Sequence, residues 1–118
     1  MSSYSEINDF DYYVDNKKTL NLNFGFDDYD SFEPNVTTAT IRMVYRFENN
    51  QEPEMQMTVA GTETDSFKPK NGNWCLYNET FTISPHSPTN LTLNLKVISG
   101  ASNVKGNFHI DYLAVCLN

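Results

Sequence analysis

Apolar and polar residues alternate with a period of two through much of this chain, in stretches such as ATIRMVYRF, EMQMTV and LTLNLKV. Successive side chains of a strand point to opposite faces, so this pattern predicts strands buried on one side, and no segment carries a sustained helical period. The alternation places strands at 19–24, 38–47, 54–60, 75–83, 91–99 and 107–117, with shorter ones at 11–14 and 65–68. Turn-forming runs separate them: NNQEP at 49–53, PKNGN at 69–73, SPHSP at 84–88 and GASN at 100–103. About eight strands in two antiparallel sheets follow, and with no repeat, low-complexity tail or break in composition, residues 1–118 read as one β-sandwich or jelly roll.

The closing run GNFHIDYLAV poses a question. Simple alternation puts Phe108, Ile110, Tyr112 and Ala114 on one face and His109, Asp111, Leu113 and Val115 on the other. Asp111 then shares a face with two aliphatic side chains. A carboxylate half-buried among apolar groups is costly unless a cation or several hydrogen-bond donors compensate it, so this strand either ends at a wet loop or helps to hold a metal.

Composition narrows the partners. Aromatic residues make up 14% of the chain and charged residues only 19%, which is the composition of a folding sequence rather than a disordered one. The net charge is -7, and eight of the fifteen acids lie in the first 33 residues, which argues against nucleic acid or an anionic membrane surface. A neutral ligand or a cation suits this charge better. Aromatic planes accept the C–H faces of sugar rings while amides and carboxylates take the hydroxyls, so an acidic, polar, aromatic-rich surface points towards carbohydrate. No apolar run reaches the length of a membrane span, and MSSYSEINDF lacks the basic and apolar regions of a signal peptide.

Cys75 and Cys116 leave two readings open, a disulfide if their strands are neighbours or two separate thiols, and neither has the spacing of a zinc or redox pair. Catalysis finds little support: the two histidines form no metal-type pair, His86 sits in a Pro-flanked loop, and neither a nucleophile elbow nor a phosphate-binding glycine loop occurs. The chain is not expected to be an enzyme. The densest aromatic region comprises Tyr12, Tyr13, Phe24, Phe26, Tyr29 and Phe32. The acid-rich GFDDYDSFE, at 25–33, reads as a solvated face or a second cation site.

In order along the chain, Val44-Tyr45-Arg46, the strand from Met55 to Gly61, Gly72-Asn73-Trp74, the strand from Asn90 to Leu95, and Ile110-Asp111-Tyr112-Leu113-Ala114-Val115 form a set that resembles the lectin-like jelly rolls of carbohydrate-binding module families 6 and 35. The resemblance covers roughly residues 36–117 and is looser upstream, where Tyr4-Ser5-Glu6 is similar to the family's opening motif. It implies a galactose-binding-domain-like β-sandwich of two antiparallel sheets and a non-catalytic, extracellular module. Such a module holds an appended secreted enzyme, a glycoside hydrolase for example, on a plant cell-wall polysaccharide of β-mannan or xylan type. It further implies that Tyr45 and Trp74 grip a sugar ring at one end of the sandwich. His109 stands where the family usually has an asparagine, and Asn107 or Asn103 is then left to supply the amide. A flat aromatic platform on a sheet is the alternative to this loop site.

The resemblance also implies a structural calcium held by Asp111, Glu6 and backbone carbonyls, with Asp9 and Asp11 as further oxygen donors. It predicts a monomeric module that binds oligosaccharide or polysaccharide, with no nucleic acid and no membrane partner. The rival reading is a structural or adhesion β-sandwich recognising protein, such as a phage or cell-surface module.

Overall fold

Eight strands account for most of the described residues in a computed structural model, which describes residues 3–15, 19–26, 36–49, 53–61, 63–70, 72–86, 90–99 and 104–118. They are β1 (Ser3–Asp15), β2 (Thr19–Gly25), β3 (Val36–Asn49), β4 (Glu54–Val59), β5 (Glu63–Phe67), β6 (Trp74–His86), β7 (Asn90–Ser99) and β8 (Lys105–Leu117). One four-stranded sheet has the order β1-β8-β3-β6 and the other β2-β7-β4-β5, with every neighbouring pair antiparallel. This is the eight-stranded jelly roll, in which every pair of consecutive strands but β4 and β5 crosses between the sheets and the chain's two ends meet as β1 and β8.

The alternation that predicted the strands also builds the core. Ala39, Ile41, Met43, Tyr45 and Phe47 of β3 point inward and meet Met55, Met57 and Val59 of β4 and Leu91, Leu93, Leu95 and Val97 of β7. Full burial of side chains of this size contributes about 1.5–3 kcal/mol each. An aromatic stack sits at one end of this layer: Tyr45 lies parallel over Phe108 with centroids 5.1 Å apart, and Phe47 tilts against Phe108 at 5.3 Å.

The parity expected for the closing strand is corrected by the structure. Between β3 and β8 the register shifts after Val44: Val44 faces Tyr112, but Tyr45 faces Ile110, so Asp111 is an extra residue without a counterpart on β3. This β-bulge resets the alternation. Phe108 and Ile110 point inward before it, Leu113, Val115 and Leu117 after it, and Asp111 itself is exposed. The acid therefore does not share a buried face with Leu113 and Val115.

On β1 the matching position is Asp9, between Asn8, which faces Tyr112, and Phe10, which faces Ile110. Asp9 has φ 53°, a left-handed conformation that Asp tolerates better than most residues. The slip at Asp9 lets Ile7 on one side and Phe10, Tyr12 and Val14 on the other all lean on the core. It also hides the period of β1, so that only 11–14 of Ser3–Asp15 is legible as alternation.

Cys75 and Cys116 are free. β3 separates their strands, and they pair with different β3 residues, Tyr45 for Cys75 and Thr40 for Cys116, so the disulfide reading is set aside.

Candidate functional site

The outer face of the first sheet gathers residues that lie far apart in sequence. Arg46 of β3 is paired across the ladder with Trp74 of β6 on one side and His109 of β8 on the other, and His109 is paired with Asp11 of β1. One rung, Asp11–His109–Arg46–Trp74, thus crosses all four strands. The next rung towards the loops reads Tyr13–Asn107–Glu48, and the rung on the other side reads Asn8–Tyr112–Val44–Leu76. Among the described residues, the large apolar side chains left exposed are Tyr4, Tyr13, Trp74 and Leu76, and all four belong to this face.

Local structure fixes Trp74. Gly72 takes φ 75°, which a residue with a Cβ adopts only with strain, and its N–H donates to the carbonyl of Phe47 at 3.0 Å. The turn is thereby tied to the end of β3, and Trp74 starts β6 at the rim of the sandwich with 55% of its surface exposed. The Arg46 guanidinium lies over the indole, 5.1 Å from its centroid. Such a cation–π contact at an exposed site is worth about 0.5–1 kcal/mol and holds the ring in one orientation.

Two close polar contacts lie on this face. Arg46 pairs with Glu48 at 3.0 Å, and His109 Nδ1 lies 2.6 Å from Asp11 Oδ1.

Beside Trp74 a cleft of about 560 Å³ opens between β5 and β6, the edge strands of the two sheets. Lys68 and Lys70 line it together with Glu79 and Asn78, and Tyr45, Phe67 and Tyr77 form its aromatic wall. The Tyr77 hydroxyl donates to Asp65 Oδ2 at 2.7 Å, bridging the two sheets. Burial, reinforced by the Asp65 carboxylate, pushes the Tyr77 phenol well above its ordinary pKa, and burial does the same for Tyr45 beside Cys75.

Of the residues expected to contact ligand, Trp74, His109 and Asn107 do share one face, whereas Tyr45 is turned inward. Only 4% of Tyr45 is exposed; one ring face is stacked on Phe108, and Phe67 meets it edge-on at 5.7 Å. Its place is the wall of the cleft, not a stacking shelf. Asn103 lies outside the described residues. Of the dense aromatic region, Phe24 and Phe26 are buried and Tyr13 is exposed, while Tyr29 and Phe32 lie outside the described residues. From sequence, Arg46 enters only as part of the Val44-Tyr45-Arg46 motif and Glu48 has no role, because only the cross-strand register brings them beside Trp74 and Asn107.

The carboxylates assigned to calcium do not form a common donor set. Asp11 is engaged by His109, Glu6 accepts the Tyr4 hydroxyl and faces Ala114, and Asp9 and Asp111 stand opposite each other at the bulge. Among the described residues, no three carboxylate, imidazole or thiol side chains converge in a way that could hold a metal ion.

No protein-family model matches the chain, and no curated protein does. Solved structures do resemble it. The T=1 particle of infectious bursal virus superposes with a TM-score of 0.64 at 12% identity over 98% of this chain, which spans only 31% of the viral one. BiXyn10A CBM1 in its apo form gives a TM-score of 0.52 at 12% identity and covers 93% of this chain and 94% of that one. A family 35 carbohydrate-binding module from Cellvibrio japonicus gives 0.55 at 10% identity over 85% of this chain and 65% of the other. At such identities the likeness is one of fold: the chain is an all-β sandwich like those of these two carbohydrate-binding modules and of the viral particle.

Proposed function

We propose that this chain is a non-catalytic carbohydrate-binding module whose principal contact is the exposed indole of Trp74. The observation that carries the reading is a ring at the sandwich rim, capped by Arg46 with much of its surface open, on the same face as the hydrogen-bonding groups of His109 and Asn107 two strands away. A pyranose stacks its apolar C–H face on such a ring, and neighbouring amide, imidazole and carboxylate groups orient the hydroxyls. The fold shared with BiXyn10A CBM1 and the family 35 module supports the same reading. The ligand class is a β-linked plant cell-wall polysaccharide, mannan or xylan, and the module serves a secreted enzyme by holding it on that substrate.

Affinity electrophoresis through gels containing mannan, xylan or cellulose tests this. The expected result is retardation by at least one of them that is lost in Trp74→Ala; equal mobility in every gel would reject the reading. The rival, a protein-recognising or assembly domain, draws on Leu76, which is 63% exposed beside Trp74, and on the fold shared with a viral capsid chain. Concentration-dependent self-association without any retardation would favour it.

A further inference from the structure

Resting on the carbohydrate reading, we infer that the ligand is an extended, uncharged glycan chain crossing the strands of the first sheet, with Tyr13 as a second stacking residue at the far edge from Trp74. Tyr13 is 56% exposed on β1, one edge strand of that sheet, and Trp74 is 55% exposed on β6, the other edge. Three interstrand intervals separate the edges and Tyr13 lies one rung beyond that of Trp74, a diagonal of about 16 Å, which takes several β-linked sugar units in a row. A mono- or disaccharide cannot reach both rings.

Between the two rings the surface offers Asn107, Glu48, His109 and Arg46, all on the same outer face. Aromatic shelves at the ends with hydrogen-bonding groups between them match a polymer that presents C–H faces and hydroxyls in turn. In this strip Glu48 engages the Arg46 guanidinium, and Asp11 lies against His109 Nδ1. A carboxylated or sulfated sugar would meet the Glu48 and Asp11 carboxylates, so the strip favours a neutral chain. Phe24 and Phe26, close to Tyr13 in the aromatic-rich part of the sequence, are buried and do not compete for this role.

Calorimetric titration with β-linked oligosaccharides of two to six units, taken from whichever polysaccharide retards the protein, tests the inference on wild type, Tyr13→Ala, Tyr13→Phe and Trp74→Ala. Wild-type affinity should climb at least ten-fold from two to four units and then level off. Tyr13→Ala should flatten that climb, Tyr13→Phe should restore it, and Trp74→Ala should weaken binding at every length. A length dependence in Tyr13→Ala equal to wild type, with Trp74→Ala still defective, would overturn the extended site and leave the carbohydrate reading standing. Tighter binding of uronate-bearing chains than of neutral ones would overturn the uncharged ligand, and absence of binding at every length in wild type would overturn both. Tyr13 is exposed, so circular dichroism should show the variants folded.

Discussion

Trp74→Ala is the perturbation whose size follows most directly from the structure. A Trp side chain offers about 150–250 Å² for burial, and here 55% of the residue is exposed, leaving roughly 110 Å² for a ligand. Arg46 occupies one face of the ring, so a sugar covers roughly half of that area, about 55 Å², worth about 1.4 kcal/mol at 25 cal/mol/Å². The geometric preference for stacking adds about 1 kcal/mol. The loss of about 2–2.5 kcal/mol corresponds to a roughly 30- to 70-fold rise in Kd. The fold should tolerate the change, because the ring sits at the rim with more than half of its surface open and gives up the Arg46 contact, about 0.5–1 kcal/mol, together with the packing of its covered part. Isothermal titration against a hexasaccharide, with a melting curve of the same sample, measures both quantities. A Kd within about two-fold of wild type would refute the stacking argument; a collapse of the melting transition would show instead that the indole is a structural element.

Other consequences follow from the interior. Phe108→Ala removes a fully buried ring that stacks on Tyr45 and Phe47 and should cost about 3–5 kcal/mol in denaturant unfolding; a loss below about 1 kcal/mol would mean that the sheets do not close on this stack. Because burial raises the folded-state pKa of Tyr45 and Tyr77 above that of an unfolded phenol, the folded state keeps protons that the unfolded chain releases. Stability is then fully present below about pH 10 and falls as pH rises beyond it. Tyr77→Phe should make that fall shallower, as seen in urea titrations from pH 8 to about 11, and an unchanged slope would contradict the burial of this phenol. Excess chelator is expected to leave Tm unchanged, since the four carboxylates do not converge; a drop reversed by added Ca²⁺ would show that one or more of them hold the ion with backbone oxygens.

Much of the fold was legible because a strand buried on one face writes its period into the sequence. β4, with its burial alternating strictly from Glu54 to Val59, is the clearest instance. Where two strands slip together, the record is lost. Asp9 and Asp111 each shift the parity of their strand by one, and neither is a glycine or proline that would mark the irregularity. The exposed acid looked buried for that reason.

The site was legible in part. Trp74 after Asn-Gly-Asn reads as a loop-to-strand junction, and it is one, because Gly72 makes the turn. Tyr45 belonged with the core: it follows Ile41 and Met43 and precedes Phe47 on one parity, and that signal outweighs its chemistry. What no local pattern contains is the rung Asp11–His109–Arg46–Trp74, since it joins four strands through non-local register. Arg46 and Glu48 gain meaning only there.

Trp74 is the chain's single tryptophan, so its fluorescence reports on the proposed contact without labelling. Titration with a neutral β-linked hexasaccharide should shift or quench the emission saturably, with a midpoint equal to the calorimetric Kd. Saturable binding with the emission untouched would contradict a sugar stacked on this ring, and the site would have to lie elsewhere on the sandwich.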